Sequence, residues 1–139
     1  MASFEVGDVI LGKYEITRVL GQGGMGVVVA ALHRELGELV ALKFLKPSIR
    51  DDDAACQRFL REARTATRIK NEHVARVYDV NTVEGTPFIV MEYLMGQDLA
   101  GEIRQRGPLP VAKAVDLLLQ ACEAVAELSL ESVSANVTV

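Results

Sequence analysis

The sequence predicts an α+β protein in which an antiparallel sheet of five strands is followed by helices. Two observations predict this class. Segments rich in β-branched residues, separated by turn residues, lie near 13–21, 26–33, 38–46, 76–80 and 87–91. Apolar residues follow helical spacing in one long segment between the third and fourth strands, and again in two segments after the fifth strand. Residues 1–12 form a lead-in with room for a short extra strand.

Composition and charge narrow the class of protein further. The chain has 139 residues, of which 50% are hydrophobic, so it can bury a core. Its formal net charge of -4 argues against a nucleic-acid binder, which is normally basic. The first residues lack the features of a signal peptide, and no apolar run is long enough to span a membrane. The two cysteines have no zinc or redox spacing. We therefore expect a cytoplasmic protein without a membrane segment.

The most informative stretch is the glycine pattern G-x-G-x-x-G formed by Gly21, Gly23 and Gly26. Glycines allow the backbone to approach a ligand closely, and amides in such a turn can bind phosphate oxygens. Two designs share the pattern, because in a dinucleotide-binding fold the glycines open a helix. Here a valine run, 27–29, follows at once and predicts a strand. The arrangement is therefore strand, glycine turn, strand.

A lysine strand follows the glycine hairpin and decides between the two designs. Val40-Ala41-Leu42-Lys43 places a lysine roughly where the dinucleotide fold needs an acidic residue. The glycine hairpin together with this V-A-x-K strand resembles the protein kinase family, and most of all the bacterial serine/threonine kinases of eukaryotic type. The alternative is a β-hairpin with a glycine-rich turn and no ligand.

The long helix is expected from about Ala54 to Lys70, with the carboxylates of residues 51–53 at its N-terminus. The predicted buried face carries a carboxylate in its middle and consists of Ala55, Phe59, Glu62, Ala66 and Ile69.

A buried charge without a partner is costly, and this applies to Glu62 on the predicted buried face. It applies equally to Lys43, because strand alternation places this lysine on one face with Leu39, Ala41 and Leu45. We expect Lys43 and Glu62 to form an ion pair, which is the pair that the kinase family uses to hold the lysine against the nucleotide phosphates. The alternative is an ion pair with a structural role only.

The resemblance implies an ATP site whose residues can be named in this sequence. The glycine flap would cover the phosphates, apolar side chains would enclose the adenine, and the segment after the fifth strand would bind the adenine edge through its backbone. Met91 would be the gatekeeper, and Asp98 would cap the next helix and contact the ribose. The implied binding residues are Leu20, Gly21, Gln22, Gly23, Gly24, Met25, Gly26, Val28, Ala41, Lys43, Met91, Glu92, Leu94 and Asp98.

The resemblance also implies a division of the chain into three parts. Residues 1–96 would form the kinase N-terminal lobe, 97–127 the first two helices of an incomplete helical C-terminal lobe, and 128–139 a divergent tail. We place the limit of the resemblance after Glu127, because the motifs H-R-D, D-F-G and A-P-E are absent. An interrupted kinase gene with an out-of-frame tail would explain this change.

These absences shape the expected function. The catalytic aspartate and the residues that hold Mg²⁺ belong to the missing motifs, so Mg²⁺ would be bound only through the phosphates of ATP. We expect the ATP-binding portion of a serine/threonine protein kinase that is inactive alone. The alternative is a non-catalytic, pseudokinase-like module that pairs with another kinase. Self-association is expected through the N-terminal lobe or through the last helix, where Leu117, Leu118, Leu119, Val125 and Leu128 would be exposed.

Overall fold

The computed structural model describes residues 4–23, 26–46 and 52–137. In this part of the chain the elements follow the order β1 (Val9–Ile10), β2 (Tyr14–Gln22), β3 (Gly26–His33), β4 (Glu38–Leu45), α1 (Asp53–Ala66), β5 (Val77–Val83), β6 (Thr86–Glu92), α2 (Leu99–Arg106) and α3 (Val111–Val137). The α+β class is confirmed. The described sheet has six strands where the sequence predicted five, because the lead-in supplies β1.

The six strands form one curled antiparallel sheet in the order β1-β2-β3-β4-β6-β5. Short turns join β1 to β2, β3 to β4 and β5 to β6, whereas α1 lies between β4 and β5. Between β5 and β6, Glu84 and Gly85 both have positive φ, at 49° and 74°, which suits a two-residue hairpin turn. Two register shifts interrupt the pairing of β2 with β3, one between Ile16 and Arg18 and one between Val19 and Gly21. Each shift is a β-bulge or a similar irregularity, which changes the direction of the side chains that follow.

Apolar side chains on the two faces of the sheet form two separate clusters. The first core lies on one face and is built around the stacked or tilted rings of Phe4, Phe44 and Phe88. The second core lies on the other face, where Leu45 and Ile89 pack with Phe59 and Ala63 of α1. Helix α1 therefore covers the face opposite to the first core.

Helix α1 begins where the sequence indicated and ends earlier. The side chain of Asp52 caps it by accepting a hydrogen bond from the amide of Ala55, at 3.1 Å. At the other end, the hydroxyls of Thr65 and Thr67 donate to backbone carbonyls within the last turns. Threonines that bond locally to the backbone compete with helix propagation, so α1 stops at Ala66 and not at Lys70 as predicted.

The chain forms two compact units that are not contiguous in sequence. The first unit comprises Met1–Arg68 and Ala75–Tyr93, and the second comprises Ile69–Val74 and Leu94–Val139. In the second unit, the segment Ile69–Val74 is bonded to α3, because the amide of Asn71 donates to Glu127 at 2.6 Å. Nε2 of His73 lies 3.4 Å from a carboxylate oxygen of Glu123, one helical turn earlier.

Candidate functional site

The glycine hairpin joins β2 to β3 as the sequence predicted. Gly21 stands opposite Val28 and Gln22 opposite Val27. At its tip, the amide of Gly23 donates to the carbonyl of Gly26 at 2.9 Å. Gly24 and Met25, which were also predicted to belong to the site, lie outside the described residues.

The three glycines of the pattern have different surroundings. A Cβ added at Gly26 would overlap the backbone carbonyl oxygen of Phe44 in the neighbouring strand, so the fold itself requires glycine there. A Cβ added at Gly21 or Gly23 would meet no protein atom within 4 Å. Among the three glycines of the pattern, the backbone at Gly21 and Gly23 is therefore open to a ligand.

Lys43 lies in the same cross-strand row as the first glycine of the hairpin. Gly21 is opposite Val28, Val28 is opposite Lys43, and Lys43 is opposite Ile89. Ile89 belongs to the second core, so this row faces the side of the sheet that carries α1. Lys43 is half-buried, between the buried residues Ala41 and Leu45. The face shared with Ala41 and Leu45 is the one that strand alternation predicts for Lys43.

The predicted position of Glu62 is wrong. Glu62 is exposed, and the buried face of α1 is instead centred on Phe59 and Ala63. In an α-helix, consecutive residues are about 100° apart around the axis. Because Ala63 and not Glu62 lies at the centre of the buried face, the carboxylate lies on its flank. Among the ion pairs of the described residues, none joins Lys43 to Glu62. Lys43 and Glu62 therefore lie on the same side of the sheet but form no ion pair with each other.

Val28 and Ala41, which the resemblance implies would pack on the adenine, lie on adjacent rows of one sheet face with the implied gatekeeper, Met91. Ala41 is opposite Met91, and Val28 is opposite Lys43 in the neighbouring row. Ala41 is buried, whereas Val28 and Met91 are half-buried. Leu20, the third residue implied to pack on the adenine, lies at the second register shift of β2 and is exposed.

The segment after β6 is fixed by hydrogen bonds. The amide of Glu92 donates to the carbonyl of Arg76 at 2.8 Å, and the carboxylate of Glu92 accepts from the amide of Arg76 at 3.1 Å. Tyr93 is the last residue of the first unit. Leu94 and Asp98 belong to the second unit, where Leu94 is exposed and Asp98 caps α2 by accepting from the amide of Gly101 at 2.6 Å. The predicted capping role of Asp98 is confirmed.

The sequence did not predict a contact between Arg18 and Tyr93. The guanidinium of Arg18 donates to the phenolic oxygen of Tyr93 at 2.6 Å. A signal for Arg18 was present, because strict alternation in β2 would put this charged residue on the buried face of Tyr14 and Ile16. A charge at a core-facing position indicates either a partner or a bulge, and the structure contains both.

The described residues show no metal centre and no membrane span of their own. Within residues 4–23, 26–46 and 52–137, no three histidine, cysteine, aspartate or glutamate side chains group closely enough to hold a metal ion. In the same part of the chain, every helix is too short or too polar to cross a bilayer.

Comparison with known proteins gives one consistent family. The family model for the protein kinase domain matches residues 14–134. This match extends past Glu127, where we placed the limit of the resemblance, and includes part of the segment 128–139. The crystal structure of a mutant PknI kinase domain from Mycobacterium tuberculosis superimposes with a TM-score of 0.82 at 29% identity, covering 94% of this chain and 53% of that one.

Two curated relatives agree with this result. The serine/threonine-protein kinase PknE of Mycobacterium tuberculosis is 36% identical over 109 residues, which cover 78% of this chain and 19% of PknE. A serine/threonine-protein kinase of Myxococcus xanthus is 35% identical over 123 residues, covering 88% of this chain and 22% of the relative. The chain thus spans about a fifth of the length of these relatives and about half of the solved kinase domain.

Proposed function

Because the chain belongs to the protein kinase domain family, we propose that it is the ATP-binding portion of a serine/threonine protein kinase. Members of this class transfer the γ-phosphoryl group of ATP to a protein hydroxyl, mainly by positioning the groups and neutralising their charge. The proposal for this chain concerns nucleotide binding first. Phosphoryl transfer would be an activity of the whole kinase.

The observation that carries the proposal is the row formed by Gly21, Val28 and Lys43. Neighbouring strands are about 4.8 Å apart, so the first glycine of the hairpin and the lysine lie roughly 10 Å apart across one strand. The open backbone at Gly21 and Gly23 would accommodate phosphate oxygens, and the ammonium of Lys43 would supply a positive charge beside them. The residues present therefore fit a nucleoside triphosphate.

The remaining roles follow the family pattern. Lys43 would hold the α- and β-phosphates, while Leu20, Val28 and Ala41 would pack on the adenine and Met91 would lie behind it. Backbone groups of Glu92 and Leu94 would bind the adenine edge. Gln22, Gly24 and Met25 would complete the flap, and Asp98 would lie near the ribose. Of these, Val28, Ala41 and Met91 have direct support from their position on the face of Lys43.

We also propose that this stretch of 139 residues does not transfer phosphate by itself. The aspartate that accepts the substrate proton and the residues that hold Mg²⁺ belong to H-R-D-L-x-x-x-N and D-F-G motifs, and the sequence contains neither. Mg²⁺ would then be bound only through the phosphates of ATP. Since Glu62 is exposed and unpaired with Lys43, the proposed site does not include it.

Substitution of Lys43 tests the proposed site. We expect Lys43→Met to weaken ATP binding by about tenfold or more, because a charge-assisted contact to phosphate is lost. Isothermal titration of the chain with ATP, with and without Mg²⁺, measures the effect. Lys46→Met, at the half-buried lysine directly after β4, is the matched control and should leave the affinity unchanged. Equal affinities of the wild type and Lys43→Met would remove the lysine from the site.

A second candidate function is an interaction module that pairs with a second kinase or with its own copy. Helix α3 favours it, because the exposed residues Val111, Val115, Leu118, Leu119 and Val125 fall within an arc of about 120° at 100° per residue. A continuous apolar stripe of this kind is typical of a helix with a partner. Phosphate incorporation into a protein substrate, which we do not expect from the isolated chain, would contradict both of the non-catalytic functions.

A further inference from the structure

A hydrogen bond joins β2 to the residue that follows β6, on the sheet face where the proposed nucleotide site lies. The guanidinium of Arg18 in β2 donates to the phenolic oxygen of Tyr93 at 2.6 Å, although the two residues are 75 positions apart in sequence. Both residues belong to the first unit. Arg18 is exposed and Tyr93 is half-buried. We refer to this contact as the Arg18–Tyr93 strap.

The first irregularity in β2 explains why Arg18 is on this face. Ile16 is opposite Ala31, and Arg18 is opposite Ala30, so one residue of β2 is extra. The extra residue is Thr17, and its hydroxyl donates to the carbonyl of Ala30 at 3.1 Å. Ala31 belongs to the first core, whereas Ala30 is on the opposite face. The bulge thus moves Arg18 away from the core face that strict alternation would give it.

The strand register gives the distance that the strap spans. Arg18 is opposite Ala30, Ala30 is opposite Ala41, and Ala41 is opposite Met91, two residues before Tyr93. Three strand spacings amount to about 14 Å in a flat sheet, and less across a curled one. Two long side chains that reach from opposite ends cover this distance, because their hydrogen bond forms at 2.6 Å.

The two ends of the strap stand at the two walls of the proposed site. Arg18 is two residues before Leu20 and three before Gly21, where the glycine hairpin begins. Tyr93 follows Glu92, whose amide and carboxylate are both bonded to the backbone of Arg76. The strap therefore connects the start of the hairpin to a segment that is already held in place.

We propose that Arg18 and Tyr93 are positioning residues for nucleotide binding, because their hydrogen bond fixes the spacing between the glycine hairpin and the segment after β6. The proposal rests on the proposed function for its ligand and on the strap itself for its mechanism. Neither side chain needs to touch ATP. With the strap intact, less conformational freedom is lost when a nucleotide binds between the two walls.

Removal of one oxygen atom is the sharpest test. We expect Tyr93→Phe and Arg18→Met each to weaken ATP and adenosine binding by about three- to tenfold, which is the net value of an ordinary hydrogen bond. Both ligands should lose the same factor, because the strap acts on spacing and not on phosphate charge. Combining the two substitutions should cost no more than either alone. Tyr78→Phe, at an exposed tyrosine of β5, is the matched control.

Hydrogen exchange without nucleotide separates this proposal from the proposed function. Exchange of the amides in residues 19–23 should become faster in Tyr93→Phe and not in Tyr78→Phe. Arg18→Lys, which keeps a donor, should restore part of the protection when Tyr93 is present and none in the Tyr93→Phe background. Unchanged exchange in Tyr93→Phe would overturn the strap whatever the affinities are. Faster exchange in a protein that binds no ATP would support the strap and contradict the proposed function.

Discussion

At the scale of single residues, the glycine pattern combines two different requirements. Gly26 is needed because the neighbouring strand passes too close for any Cβ, whereas Gly21 and Gly23 face open space. The sequence pattern does not distinguish these cases, since all three glycines read alike. Only the cross-strand approach of Phe44 shows that one of them serves the fold.

This division predicts a large change in stability for one alanine substitution and a small one for another. Gly26→Ala should destabilise the protein by roughly 1–3 kcal/mol, because its Cβ would force β3 and β4 apart. Gly21→Ala should change the free energy of unfolding by less than about 0.5 kcal/mol. Denaturant unfolding of the two variants measures both values.

Nucleotide titration of the same two variants completes the comparison. Gly21→Ala should lower ATP affinity if phosphates approach the backbone there. A stable Gly26→Ala variant, or a Gly21→Ala variant as unstable as Gly26→Ala, would contradict this division of roles.

Glu62 shows where residue-scale prediction fails. Small residues surround the apolar side of α1, with Ala55, Cys56, Ala63 and Ala66 all available to face the sheet. Periodicity therefore defines a wide face and does not fix which side of Phe59 is at its centre. Lys43 was predictable, because the period of a strand is two and leaves no such choice.

At the scale of elements, strand positions were predictable and their irregularities were not. The β-branched runs and the turn glycines indicate β2, β3, β4, β5 and β6 within a few residues. The bulge at Thr17 depends on a hydrogen bond to the neighbouring strand, which local sequence does not encode. The same holds for β1, whose two residues form a strand only by pairing with β2.

Helix α2 carries a carboxylate with a shifted titration. The pKa of Glu102 lies below its ordinary value, first because the side chain of Gln97 donates a hydrogen bond to the carboxylate. A hydrogen bond from Lys113 and the charges of Arg106 and Lys113 add to this effect, while desolvation opposes it. Through Lys113, Glu102 links α2 to the first turn of α3.

The lowered pKa predicts a pH-dependent contribution to stability. A group whose folded-state pKa is depressed stabilises the protein above its unfolded-state pKa and loses this contribution as the pH falls through the folded-state value. The melting temperature of the wild type should therefore exceed that of Glu102→Gln at pH 7. The difference should begin to shrink near about pH 4.3, the ordinary glutamate value, and vanish at lower pH.

Thermal unfolding of both proteins between neutral and acid pH measures this difference. Glu35→Gln, in the exposed turn before β4, serves as the control for loss of a surface charge. A gap that stays constant with pH would show that the carboxylate makes no such contribution.

At the scale of the whole molecule, the apolar stripe of α3 predicts self-association. Leu118, Leu119 and Val125 are 65%, 59% and 60% exposed. Burying such surface between two copies removes it from water, at about 25 cal/mol per Å². We expect the sedimentation coefficient of the chain to rise with concentration, and the double substitution Leu118→Glu with Leu119→Glu to abolish the rise.

A charge placed elsewhere on the same helix is the control for this experiment. Gln120→Glu lies about 160° from the middle of the stripe at 100° per residue, on the other side of α3. It should leave association largely intact. A wild-type chain that sediments as a monomer at every concentration and unfolds in one sharp transition would contradict the prediction.

The path of the backbone has a practical consequence for dissecting this protein. The chain leaves the sheet unit after Arg68, returns at Ala75 and leaves it again after Tyr93. A fragment that ends at Tyr93 would still carry Asn71 and His73, but would have lost the glutamates of α3 to which they are bonded. No single cut separates the two units, because the segment Ile69–Val74 belongs to the second unit but lies in sequence between the two parts of the first. Limited proteolysis after Tyr93 should therefore release fragments that unfold, and not two stable domains.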